Sequence, residues 1–316
     1  MRPNHQRTWI VVAVLAILSM VPAQAAKLAK GQSGLCDWKL DGEIAAGDAE
    51  RVAATIDSTT TICLNSPGGS WIEGLALFRH FADTKIHTVV LGGDLCASAC
   101  ALAFMGGADG GYGDRYPKRS LRPGARLGFH SPFIPETADR QASLAQGVAV
   151  GISVVAGLLR ADQYKLMPTE LIANMLETGP DKLFYIDTLA KAKQYKIDID
   201  GVPVPKTITT AMLYQACVNS DPWQSDVDTA VDPKTINRRA VSDKPNIYRV
   251  EFGPGFSFQG MESCAVSTSK PRGEVTDLIV TIDYAAPGKS LLTEPPRKQD
   301  ERPFWYLLPS STRIFN

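Results

Sequence analysis

Two tight turns constrain this chain most, each set between a strand-like run and a helix-like run. The first is Asn65-Ser66-Pro67-Gly68-Gly69-Ser70. It follows the compact run Thr61–Leu64 and precedes Trp71–Phe81, where Trp71, Ile72, Leu75, Leu77, Phe78 and Phe81 recur mostly at helical spacing. The second is Cys96-Ala97-Ser98-Ala99-Cys100-Ala101. It comes after the strand-like His87–Leu91 and the break Gly92-Gly93. It opens Ala97–Met105, which is small and apolar and reads as a buried helix. An earlier strand over Leu40–Ile44 and helix over Gly47–Ile56 precede both turns. Alternation of this kind predicts βαβ units and a mainly parallel sheet, in the α/β class.

The rest of the chain extends the pattern. Gly106–Gly124 is rich in Gly, Pro and charge and reads as a loop. Arg126–Phe129 is a short strand with His130 directly after it. Thr137–Arg160 carries Leu144, Val148, Ile152, Val155 and Leu159 on one helical face. Pro168–Leu176 and Thr188–Tyr195 predict two further helices. Composition shifts near Gly201-Val202-Pro203-Val204-Pro205. Beyond it, Ile247–Phe252, Cys264–Ser267 and Leu278–Tyr284 predict strands, and Pro222–Asn246 reads as loop. Residues 206–316 are therefore expected to form a smaller, mostly β appendage to a domain over 35–202. Lys27–Ser33 reads as polar, mobile chain.

Of 316 residues, 44% are hydrophobic and 21% charged, which is ordinary globular composition, and the formal net charge is zero. Without a basic field, nucleic acid is not an expected partner. Residues 1–25 read as a secretory signal: Arg2, His5 and Arg7 are a basic start, Trp9–Met20 is an apolar run, and Ala23-Gln24-Ala25 is a small-x-small cleavage pattern. The run is short for a span, which needs about 20 apolar residues, and no second stretch reads as a membrane crossing. The expected location is periplasmic or secreted.

Export makes the six cysteines, Cys36, Cys63, Cys96, Cys100, Cys217 and Cys264, candidates for disulfides. Proximity favours Cys96 with Cys100, and position in the tail favours Cys217 with Cys264. Cys36 and Cys63 are left to pair with each other or to stay buried as thiols. The histidines do not cluster with the cysteines at ligand spacing, so no metal or organic cofactor is expected.

Acyl transfer needs a nucleophile on a sharp turn and backbone N–H groups aimed at the developing oxyanion. Ser98 lies between Ala97 and Ala99 at a helix start, where N–H groups lack intrahelical partners. Glycine tolerates backbone angles that turn an amide outward. The expected oxyanion donors are therefore the amides of Gly69 and Ala99, with Gly68 shaping its turn. His130, at a sheet end, is favoured over His80 and His87 as general base.

At these residues the chain resembles the ClpP serine-peptidase family. The order Asn65-Ser66-Pro67-Gly68-Gly69, then Gly92 to Ser98, then Gly128-Phe129-His130-Ser131-Pro132, is that family's order of glycine turn, serine and histidine. The resemblance covers roughly residues 38–200. It is nearest to exported relatives that carry cysteines around the serine. It implies a ClpP/crotonase-like spiral of ββα units, Ser-His-Asp catalysis on a peptide or protein substrate, and a homo-oligomer built through the helix expected at 137–160. It also implies an aspartate about fifty residues after the histidine. Asp181 stands there, with Asp187 as the alternative and Asp162 behind both. Asp109–Pro123 enlarges the serine-to-histidine interval. The expectation is an exported serine hydrolase using Ser98, His130 and Asp181. The alternative is a non-catalytic assembly or ligand-binding module of the cell envelope. A crotonase-type acyl-CoA enzyme ranks last, because it would not use a serine nucleophile.

Overall fold

The run Thr61–Asn65 becomes a central strand because Ile62, Cys63 and Leu64 are all fully buried, as a strand covered on both faces requires. The computed structural model describes residues 25–32, 34–111, 113–133, 144–203, 205, 208–220, 238–240, 247–252, 264–269, 279–284 and 298–315. The signal-like residues 1–24 and the start of the expected 137–160 helix lie outside them.

In chain order the body comprises β1 (Lys27–Lys30), β2 (Trp38–Asp41), α1 (Asp48–Thr55), β3 (Thr61–Asn65), α2 (Trp71–Thr84), β4 (His87–Val90), β5 (Leu95–Ala97) and α3 (Ala99–Met105). It continues with β6 (Ala108–Asp109), β7 (Tyr116–Pro117), β8 (Arg119–Leu121), β9 (Arg126–Phe129), α4 (Leu144–Ala161), α5 (Thr169–Glu177), β10 (Phe184–Tyr185), α6 (Leu189–Gln194) and β11 (Asp198–Ile199). Six of these strands form one sheet in the order β1-β2-β3-β4-β8-β11, parallel from β2 onward. A second sheet has the order β10-β9-β5, with β5 and β9 parallel. The chain twice passes from the first sheet to the second and then on toward a helix, as β4-β5-α3 and as β8-β9 followed by α4. Both passes place the ends of β5 and β9 side by side.

Among the segments that differ from the sequence expectation are two that supply strands to the first sheet, and a strand also forms over Arg238–Ala240, inside the stretch 222–246 expected as loop. The supposed loop 106–124 contains β6, β7 and the core strand β8. Its Lys118-Arg119-Ser120 stretch looks solvated, yet Arg119 is 3% exposed. The guanidinium donates to the carbonyls of Met105 (2.5 Å), Tyr195 (2.9 Å), Leu166 (3.0 Å) and Lys196 (3.1 Å). It thus satisfies carbonyls at the ends of α3 and α6, which have no helical partner. Burial pushes its pKa down to about 9, against the pull of Asp162. The supposedly mobile Lys27–Ser33 stretch contains β1, paired antiparallel with β2 along the sheet edge.

The C-terminal part holds α7 (Thr210–Ser220) and an antiparallel sheet in the order β12 (Arg238–Ala240), β13 (Ile247–Phe252), β14 (Cys264–Ser269), β15 (Ile279–Tyr284) and β16 (Lys298–Pro303). A 3-10 turn, Phe304–Leu307, then returns to the body. Phe304 and Trp305 are buried, and the indole of Trp305 donates to Asp198 Oδ1 at 2.6 Å. Further on, Ile314 donates its N–H to the Asp187 carbonyl, and its own carbonyl accepts from Gly124 N–H.

Cys36 is bonded to Cys63 and Cys96 to Cys100, and Cys217 is also disulfide-bonded. The Cys264 side chain lies outside the described residues. Among the described residues no helix is long and apolar enough to cross a membrane.

Candidate active site

The turn after β5 is built around Ser98. Its neighbours Ala97 and Ala99 are buried, and every residue of α3 is buried. Ser98 itself is half-buried, at the N-cap of α3, with φ 55° and ψ −123°. An L-residue seldom adopts such a backbone, and it costs about 1–3 kcal/mol. Three anchors hold it. Its N–H donates to the Gly128 carbonyl at 3.0 Å, and its carbonyl accepts from Leu102 N–H at 3.0 Å. Cys96 and Cys100 are covalently joined on either side. The Ser98 hydroxyl makes no capping bond, so the turn does not consume it.

Gly68 and Gly69 stand opposite. A Cβ on Gly68 would lie 2.6 Å from the Ser98 Cβ and 2.8 Å from the Ala97 carbonyl oxygen, so only glycine fits against the serine turn. Both glycines have positive φ, 111° and 133°. Ile44 donates its N–H to the Gly68 carbonyl, and its carbonyl accepts from Ser70 N–H. In a parallel bridge of this type, the N–H of the residue between faces the other way. The Gly69 amide therefore points away from Ile44, and Gly69 is exposed. The Gly68 N–H is instead taken by the Ser66 hydroxyl at 3.1 Å. Ala99 opens α3, where its N–H has no carbonyl one turn back.

His130 directly follows β9. The register pairs Ala97 with Gly128, one residue before Ser98 and two before His130, which brings serine and histidine to the same end of the second sheet. The His130 Nδ1 lies 2.7 Å from the Ser131 carbonyl. A carbonyl can only accept, so Nδ1 carries the proton and Nε2 is left as the basic nitrogen. Among the described residues no hydrogen bond joins the Ser98 hydroxyl to His130.

The three candidate acids differ sharply. Asp181 is exposed, in the turn closed by Lys182 N–H on the Gly179 carbonyl. That turn lies beside the histidine loop, because Ser131 donates its N–H to the Thr178 carbonyl at 2.9 Å. No hydrogen bond joins Asp181 to His130 among the described residues. Asp187 is committed elsewhere, to Lys191 at 2.7 Å and Arg313 at 2.9 Å. Asp162 is buried and accepts the N–H groups of Leu166 and Met167, a structural role.

Sequence reading did not assign two supports of this site. Ser66, 2% exposed, holds Gly68 as described, and Asn65 Oδ1 accepts Leu95 N–H at 3.0 Å. Both belong to the glycine-turn motif, whose polar residues read only as turn formers. Glu73, in the first turn of α2, accepts Ala49 N–H at 2.9 Å and so caps α1.

No protein-family model matches the chain. Over 154 residues, 46% of this chain, it is 30% identical to the ATP-dependent Clp protease proteolytic subunit of Bacteroides thetaiotaomicron. The aligned stretch spans 60% of that relative's length.

Proposed function

We propose that this protein is an exported ClpP-like serine hydrolase acting on peptides. The observation that carries the reading is the Ser98 turn: a serine with φ 55°, free of capping, hydrogen-bonded to the strand that leads into His130. Sharp turns of this kind present a nucleophile at the end of a sheet.

In this reading the Ser98 Oγ attacks the substrate carbonyl carbon while His130 Nε2 takes its proton. The oxyanion settles between the Gly69 and Ala99 amides. Collapse of the adduct expels the amine, which takes the proton from His130. Water then hydrolyses the acyl-enzyme by the same proton path. Asp181 supplies negative charge beside the imidazolium from the loop tied to Ser131. The alternation of strands between two sheets supports a ClpP/crotonase-like spiral over 35–202, with 206–316 as its appendage. Two buried disulfides and the signal-like residues 1–25 support export to an oxidising compartment. Exposed Val148, Ile152 and Leu159 on α4 support a homo-oligomer.

A second reading, a non-catalytic binding or assembly module, is favoured by one observation. The His130 Nδ1 is satisfied by the Ser131 carbonyl and not by a carboxylate.

A fluorophosphonate probe separates the two. Wild-type protein should label, and Ser98→Ala and His130→Ala variants should not. A folded wild type that stays unlabelled, or a Ser98→Ala variant that labels equally, refutes the hydrolase reading.

A further inference from the structure

The Cys96–Cys100 bond closes a ring around Ala97, Ser98 and Ala99, with a sequence separation of only 4. Both cysteines are fully buried, one in β5 and one in the first turn of α3. A ring this short removes less chain entropy from the unfolded state than the Cys36–Cys63 bond, whose separation is 27. Its main effect is therefore local. It ties the strand end to the helix start across the one residue whose φ 55° and ψ −123° the chain would otherwise relax. Relaxation there would move the Ser98 hydroxyl and the Ala99 amide together, because both branch from the Ser98 Cα, one through Cβ and the other through the Ser98–Ala99 peptide.

We propose that Cys96 and Cys100 are positioning residues for Ser98, and that oxidation of this pair sets the nucleophile turn. The inference rests on the hydrolase reading for its consequence in catalysis. The two thiols give up two electrons and two protons to a disulfide oxidant, which leaves as a dithiol, and the S–S bond forms in their place. The chain is thus slack at Ser98 while its thiols are reduced and becomes set once they are oxidised. Burial then shields the bond from reductants, so the change runs one way.

The test compares wild type with Cys96→Ala/Cys100→Ala and Cys36→Ala/Cys63→Ala variants. Three quantities are read: thermal midpoint, rate of fluorophosphonate labelling against pH, and amide hydrogen exchange at residues 99–102. Loss of the 96–100 bond should slow labelling at least tenfold with an unchanged pH midpoint. It should also speed exchange at 99–102 while the thermal midpoint shifts little. Loss of the 36–63 bond should lower the thermal midpoint and leave the labelling rate of the folded protein unchanged. Wild-type labelling and protection in Cys96→Ala/Cys100→Ala would overturn the proposal. If wild type itself does not label, the hydrolase reading falls and exchange alone decides: unchanged protection at 99–102 overturns the positioning role, and lost protection in a folded variant upholds it. Should that variant and Cys96→Ser/Cys100→Ala both fail to fold, the bond is a condition of folding and the proposal is overturned.

Discussion

The backbone N–H of Ser98 donates to the carbonyl of Gly128 at 3.0 Å, so the serine turn hangs from the strand that ends at Phe129, immediately before His130. Serine and histidine are thereby positioned by one ladder. A disturbance of the turn is felt at both.

Gly68→Ala tests the opposite wall of this turn. The added methyl would sit 2.6 Å from the Ser98 Cβ, at a position with φ 111°. Overpacking and left-handed backbone each cost about 1–3 kcal/mol, so stability should fall by roughly 2–6 kcal/mol. Labelling of the remaining folded protein should fall by about 100-fold, since small misplacements at a reacting centre are costly. Urea denaturation and probe kinetics measure both. Labelling at the wild-type rate would show that Gly68 does not face a working nucleophile.

Ser66→Ala tests how the glycine turn is held. The Ser66 hydroxyl accepts the Gly68 N–H inside the protein, and alanine leaves that donor unsatisfied. The expected cost is about 1–3 kcal/mol. The Gly69 amide should also lose its fixed aim, with labelling slowed by about tenfold. A variant with reduced stability but unchanged labelling would limit Ser66 to a structural part.

What the sequence made legible follows from local chemistry. Arg126–Phe129 is a strand with the bounds expected, and Trp71 opens a helix right after the glycine turn. Each is specified by turn residues and short-range periodicity. Arg119 shows why β8 was illegible: a buried arginine makes sense only once carbonyls from positions 105, 166, 195 and 196 surround it, and those meet through tertiary packing alone. The Lys27–Lys30 strand is too short to display a period and exists because β2 offers it an edge. At the site, Asp181 was reached through the family resemblance and not through local chemistry. The partner of Nδ1 was not legible, because a backbone carbonyl leaves no mark in a sequence.

Substituting Arg119 measures that tertiary knot. Lysine keeps the charge but replaces a planar fork with a point donor, so at least one buried carbonyl loses its partner. Arg119→Lys should cost about 2–4 kcal/mol, and Arg119→Met about 3–5 kcal/mol, because it removes every donor to the four carbonyls. Chemical denaturation of both variants checks this. A loss below about 1 kcal/mol in either would mean the carbonyls find other donors.

The contact between Asp198 and Trp305, which seats the C-terminal tail, should carry a pH signature. Burial raises the Asp198 pKa above 3.8, with nearby Asp200 adding to the rise and the Trp305 indole opposing it. A raised carboxylate pKa means that the folded state keeps a proton the unfolded chain has already released. The stabilisation from this group is therefore complete below pH 3.8 and is lost as pH rises through the folded-state value. Asp198→Asn retains a carbonyl oxygen for the indole N–H and cannot ionise. Its stability should stay flat across the window in which wild type declines, and at pH 7 it should be at least as stable as wild type. Urea denaturation of both proteins from below pH 3.8 to pH 7 compares the two slopes. Parallel profiles, with the asparagine variant weaker throughout, would mean that the ionised carboxylate is what grips Trp305. The tail would then be held by charge, against the cost of burying it.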